Sequence, residues 1–97
     1  MTRLIVSPSA QADLADIWDF VAAESASSAD RLLDELYGSF ELLADLPDAG
    51  HHHESTPDLD LLCWPVRRTW LVFYRRADDV IEIARVVSGR RDLRQLP

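Results

Sequence analysis

Apolar positions change their period once along this chain, from a helical spacing in the first half to an alternating one in the second. Arg3-Leu-Ile-Val6 is a short aliphatic run, read as a strand, and Ser7-Pro8 ends it. The same two residues open a helix, because a serine oxygen caps unpaired N–H groups and proline at the first helical position loses no needed donor. Ala10, Leu14, Ile17, Trp18 and Val21 then recur every three or four residues and predict a buried stripe. Asp13, Asp16 and Asp19 fall off that stripe, on the expected wet side. This helix should fade over residues 22–25. Ser27 with Asp30 three residues on has the form of a capping box and predicts a second helix. Leu33, Leu36, Phe40 and Leu43 mark its buried stripe, flanked by Leu32, Tyr37 and Leu46, and Pro47 ends it. Gly38 sits mid-helix at a cost of about 1 kcal/mol relative to Ala, which a close approach of the two helices would explain, and so would drift. The short connection predicts an antiparallel helical hairpin.

Residues 48–60 mix Pro, Gly, His, Ser, Thr and acids without periodicity and read as a loop. Residues 61–66, 69–75 and 80–87 are three runs rich in β-branched and aromatic residues, joined by connections short enough for hairpins. Alternation puts Thr69, Leu71 and Phe73 on one face of the middle run and Trp70, Val72 and Tyr74 on the other. In the last run it groups Ile81, Ile83, Arg85 and Val87 against Val80, Glu82, Ala84 and Val86. A turn at Gly89-Arg90-Arg91 leads into a short tail. The predicted order is β-α-α-β-β-β, an α+β fold with the helical hairpin on one face of a small antiparallel sheet, in one domain over residues 1–97.

A length of 97 residues leaves little room for a deep internal cavity, and 47% hydrophobic with 28% charged residues is the make-up of a folded soluble chain. With Cys63 as the one cysteine, an intrachain disulfide is impossible. No apolar run is long enough to span a membrane or to serve as a signal peptide, so a reducing cytoplasm is the expected setting. The net charge of −7 hides a split. Residues 1–62 hold 13 acids against Arg3 and Arg31, whereas residues 63–97 hold eight arginines against Asp78, Asp79, Glu82 and Asp92. This asymmetry predicts a basic working face from the C-terminal third on an acidic support. An acidic chain overall is a poor general nucleic-acid binder.

Arg75, Arg76, Arg85, Arg90 and Arg91 are the first candidates for that face, with solvated strand ends and internal ion pairs as the structural alternative. Arg85, grouped by alternation with Ile81, Ile83 and Val87, needs either a partner or an open groove. His51-His52-His53 invites a metal reading. Neighbours in an extended loop point in alternating directions, so His51 and His53 are the pair that can share an ion, and the paired ligand motifs of structural zinc sites are missing. A solvated loop, and no cofactor, is the expectation. Trp18, Phe20, Trp64, Trp70 and Tyr74 suit either base stacking or burial, and burial is the commoner use. Cys63 has no base linked to it by any motif and reads as an inert thiol.

In order and spacing, Leu4 … Ser7-Pro8 … Asp13-Leu14 … Asp16-Ile17-Trp18-Asp19, Leu46-Pro47, Trp64-Pro65-Val66, Phe73-Tyr74-Arg75 and Ile83-Ala-Arg85-Val86 … Gly89-Arg90-Arg91-Asp92-Leu93 resemble the ParE/RelE superfamily of type II toxin–antitoxin toxins. The pattern is closest to the ParE branch and covers nearly the whole chain. The resemblance implies a bacterial toxin neutralised by a co-encoded antitoxin that wraps it as helix and extended chain, in a hetero-oligomer. ParE-like members are associated with poisoning DNA gyrase by binding, and RelE-like members with cutting mRNA on the ribosome. The nuclease branch often carries a basic residue on the middle strand three positions before the tyrosine that matches Tyr74, and Leu71 stands there. It also often has a His or Tyr near the C-terminus, where this chain reads Leu93-Arg-Gln-Leu-Pro97. Arg90 and Arg91 match a basic pair common to both branches and are the candidate phosphate-holding residues of a nuclease. Tyr74, Arg75, Arg85, Arg90 and Arg91 are therefore the expected partner- or target-binding set, with the antitoxin placing acids against the arginines. A degenerate toxin that only binds antitoxin is the third reading.

Overall fold

The computed structural model describes residues 2–89. Its elements are β1 (Arg3–Val6), α1 (Pro8–Ala22), α2 (Ala26–Asp45), β2 (His51–His52), β3 (Leu62–Val66), β4 (Trp70–Ala77) and β5 (Val80–Ser88). The expected strands and helices are all present, together with the two-residue β2 inside the segment read as loop, where His51 pairs with Cys63 and His52 with Leu62. The sheet order is β1-β5-β4-β3-β2. The sheet is mixed, not antiparallel throughout: β1 lies parallel to β5, from Arg3 opposite Val80 to Val6 opposite Ile83. Parallel neighbours need a long crossover connection, and the helical hairpin that separates β1 from the later strands provides it.

Both helix starts follow local chemistry. Ser7 Oγ accepts from the Ala10 N–H at 3.0 Å, and Pro8 occupies the first turn. The second cap is Ser25, not Ser27: its Oγ accepts from the Ser28 N–H at 3.2 Å. Asp30 is thereby released from capping, and its carboxylate accepts from Trp18 Nε1 at 2.9 Å across the two helices. Trp18 is consequently half-buried between the helices and not a core residue. Gly38 is exposed, and a Cβ there would meet nothing within 4 Å, so no close approach accounts for it.

Helix residues Ala10, Leu14, Ile17, Leu32, Leu36, Phe40 and Leu43 bury one sheet face made by Val66, Trp70, Val72, Tyr74, Ile81, Ile83 and Val86. The other face carries a smaller cluster of Leu61, Cys63, Phe73, Ala84 and Val87, with Leu71 against it. The alternation expected for β4 holds. That of β5 breaks, because Phe73 pairs with Arg85 while Tyr74 pairs with Ile83, leaving Ala84 as an extra residue. The bulge moves Val86 under the helices and separates Arg85 from the Ile81 and Ile83 face.

The bulge sits where β1 leaves the sheet. Among the described residues, β5 has no strand on that side beyond Ile83, and groups from the start of α1 take its place. Ser7 Oγ donates to the Ala84 carbonyl at 2.9 Å. The Asp13 carboxylate accepts from the Val86 N–H at 2.9 Å and from Arg85 Nε and Nη2 at 2.7 and 3.0 Å. Asp13 is only 14% exposed and Arg85 21%, so the residue read as solvent-facing is a half-buried joint between α1 and β5. Between two hairpin strands, Arg67 and Arg68 take left-handed φ angles of 54° and 62°, and Asp78 takes 51° in the next turn. None of the three is glycine, which is why neither turn was recognisable by its chemistry.

Two stability measurements check this account by chemical denaturation. Asp13→Ala leaves a guanidinium and a backbone N–H without their acceptor and should cost about 2–3 kcal/mol. A cycle with Arg85→Ala should give a coupling above about 1 kcal/mol, and additive single effects would contradict the joint. Gly38→Ala should stabilise by about 1 kcal/mol, since the exposed helix interior has space for the methyl group.

Candidate partner-binding surface

The arginines of β4, of β5 and of the β3–β4 turn can be followed to partners. Arg75 Nη2 lies 2.6 Å from Asp58 Oδ2, and Arg76 is paired with Asp48. Arg67 at the β3–β4 turn holds Glu35 of α2 through Nε and Nη2 at 2.8 and 3.2 Å. With Arg85 on Asp13, three of the five candidate arginines, and Arg67 besides, hold acids from the helices and the long loop. Part of the charge split along the sequence is therefore the two halves of internal ion pairs. The Arg75 hydrogen bond, helped by the Asp60 N–H, holds the Asp58 carboxyl below its ordinary range. Arg90 and Arg91 lie outside the described residues.

Tyr74, expected on a partner-facing surface, is fully buried beneath the helices. Its hydroxyl donates to the Pro47 carbonyl at 2.9 Å and accepts from the Gly50 N–H at 2.8 Å, which ties the segment after α2 to β4. Burial raises its pKa. Gly50 is required there, because a Cβ would come within 2.5 Å of the tyrosine oxygen and 2.8 Å of the Cys63 carbonyl. Trp70 shares this buried face, whereas Phe20 is 59% exposed. Cys63 is buried, and desolvation pushes its thiol up to about 11.

His51 and His52 are exposed, and local hydrogen bonds order the histidine segment. His52 Nε2 donates to the Thr56 carbonyl at 3.0 Å, and the Ser55 N–H donates to His53 Nδ1 at 3.1 Å. The His53 ring stands edge-on to Phe73 at 5.9 Å, so this loop lies against the second sheet face. Among the described residues, no three His, Cys, Asp or Glu side chains are grouped to hold an ion.

A different surface is open. Gln11, Leu14 and Ala15 of α1, Leu33 and Tyr37 of α2, and Val6 at the end of β1 line a groove of about 520 Å³. Tyr37 is 47% exposed. The groove runs into the sheet edge formed by β1, where Leu4 and Ile5 are also exposed. Among the described residues β1 has no neighbour on its outer side; such an edge strand is a template for an added strand, and an apolar cleft between helices suits a third helix. Sequence reasoning assigned Leu33 and Tyr37 to the buried stripe or its flank. The available signal was width: Leu32, Leu33, Leu36, Tyr37, Phe40 and Leu43 cover more of α2 than one core-facing stripe requires.

Tyr74→Phe tests the buried tether. It removes one hydroxyl and orphans both the Gly50 N–H and the Pro47 carbonyl, so stability should fall by about 1–3 kcal/mol. Amide exchange at Gly50 should accelerate beyond what that global loss produces; unchanged exchange there would count against the tether.

The fold is similar to a chain from a chromosomal ParDE toxin–antitoxin system of P. aeruginosa, with a TM-score of 0.76 at 19% identity, covering 91% of this chain and 96% of that one. It is also similar to a conserved hypothetical protein from Helicobacter pylori, with a TM-score of 0.54 at 17% identity, covering 93% of this chain and 97% of that one. Among curated proteins no sequence matches significantly. The family model described as the ParE toxin of the type II toxin–antitoxin system parDE matches residues 4–93. With a match over nearly its whole length, the chain belongs to the ParE toxin family of type II toxin–antitoxin systems.

Proposed function

We propose that this chain is a cytoplasmic toxin that arrests growth by binding DNA gyrase, stalling it on cleaved DNA, with its antitoxin holding it inactive in a hetero-oligomer. Membership of the ParE family carries this reading, since gyrase poisoning is the activity the resemblance to that branch implies. The middle strand supports it. Leu71, where the nuclease branch often has a basic residue, is half-buried against the Phe73 and Val87 cluster, opposite Pro65 on β3. The neighbouring cations point the same way: Arg75 and Arg85 are each engaged by a carboxylate of the same chain, which lowers their capacity to take up phosphate charge. Target recognition then rests on shape and apolar contact more than on a reacting group. Among the described residues no helix is long and apolar enough to cross a membrane.

The deciding experiment is pulse-labelling of DNA and protein synthesis just after induction in a bacterium that lacks the antitoxin. DNA synthesis should stop first while translation continues. If translation stops first, the reading is overturned in favour of a ribosome-dependent endonuclease that uses Arg90 or Arg91 on phosphate. If neither rate changes, the chain is not a toxin in that host and retains antitoxin binding alone.

A further inference from the structure

We propose that two copies of this chain join through the outer edge of β1, paired antiparallel about a two-fold axis at Leu4, so that their two sheets become one. The contact belongs to the free chain and is independent of what the toxin attacks.

β1 ends the sheet order, and all of its four residues but Val6 are exposed. Its main chain alternates in direction. The Arg3 N–H donates to the Asp79 carbonyl at 2.6 Å and the Ser7 N–H to the Ile83 carbonyl at 3.0 Å, so the odd positions bond to β5. The even positions therefore turn their N–H and C=O groups outwards. The Val6 carbonyl is taken by Gln11 Nε2 at 2.9 Å. Leu4 offers one donor and one acceptor on the same edge, which is the set that a second Leu4 offers in return. A two-fold axis there joins them by two reciprocal hydrogen bonds and sets Arg3 of each copy opposite Ile5 of the other.

The side chains agree with that register. Leu4 and Val6 stand on the helix side beside Ile81 and Ile83, so the two Leu4 side chains meet there. Arg3 and Ile5 stand on the other side with Glu82, the neighbour of Ile5 on β5. Within one copy, neither Arg3 nor Glu82 enters an ion pair of the described residues. Pairing at Leu4 lays Arg3 two strand spacings, about 10 Å, from Glu82 of the other copy, and the two long side chains close that gap across the isoleucine. The relation occurs twice, once on each side of the axis. The groove is a worse seat for a second copy. Exposed Asp34 and Glu41, three and four residues from Tyr37 on α2, border it, and an axis there would set these acids against their own copies.

The test combines sedimentation equilibrium of the full chain, freed from antitoxin, with cross-linking that reads the register. Wild type should pass from monomer to dimer between about 1 and about 300 µM. Leu4→Pro removes an outward N–H and keeps the ladder to β5, so it should remain monomeric while the Ile81 and Ile83 amides stay protected from exchange. Leu4→Cys should form a disulfide dimer in air, because α-carbons paired across the axis lie about 5.5 Å apart. Ile5→Cys should not, since its two copies are about 8 Å apart and a disulfide reaches roughly 7 Å. Arg3→Glu should weaken the dimer about fivefold or more, and Arg3→Glu/Glu82→Arg should recover it. If Leu4→Pro fails to fold, the two cysteine variants decide alone. The proposal is overturned by a wild type that is monomeric at every concentration, by a dimer that a folded Leu4→Pro leaves unchanged, or by cross-linking at Ile5→Cys in place of Leu4→Cys. A monomer whose Leu4→Pro variant loses affinity for the co-encoded antitoxin overturns it as well, and gives the edge to a strand of the antitoxin.

Discussion

Where β1 turns away into α1, β5 loses the strand beside it, and its remaining edge has to be satisfied by something else. The Asp13 carboxylate does this, accepting from the Val86 N–H and from two nitrogens of Arg85. One largely buried side chain thus fixes the height of α1 over the sheet, the direction of the Arg85 side chain and the end of the bulge at Ala84. The bulge in turn sets which β5 residues face the helices: Ile81 and Ile83 before it, Val86 after it. Without the extra residue, simple alternation would bring Arg85 to the helix-facing side and expel Val86 from it. Position 13 therefore couples the helical hairpin to the register of the last strand.

Charge placement follows the same economy. Four arginines of the strands and turns are each held by an acid of the helices or the long loop. Glu35 meets a turn arginine with left-handed backbone, Asp48 and Asp58 hold the β4 arginines, and Asp13 holds the β5 arginine. The more exposed of these pairs contribute little individually to stability. Their effect on recognition is larger, because a guanidinium already bound to a carboxylate presents less net charge to a partner. The surface left for recognition is then the one the ion pairs do not reach: an apolar cleft bordered by helix carboxylates and continuous with an uncovered strand edge.

Tyr74 shows how the same residue reads differently in one dimension and in three. A tyrosine followed by arginines on a strand resembles a recognition element, yet its ring lies in the core and its hydroxyl fastens the chain where it leaves α2. Gly50 approaches it so closely that no larger residue fits. This tether places the histidine segment beside β3 as the short strand β2 and lets His53 reach Phe73 on the second face.

By itself the sequence determined the two helices, the longer strands and the faces that the helices and β4 bury. The helical stripes, the Ser7-Pro8 start, the Pro47 stop and the alternation of β4 are set by neighbours within a few residues, so a local period suffices to reveal them. Family membership was legible for a related reason, since its motifs lie in order along the chain. Tertiary structure alone decided the rest. The parallel place of β1, the bulge at Ala84, the burial of Asp13, the partners of the arginines and the opening of the groove all depend on residues tens of positions apart. No local period records such pairings, because they are fixed only when the hairpin packs on the sheet and each unsatisfied edge or charge takes the partner that packing brings within reach.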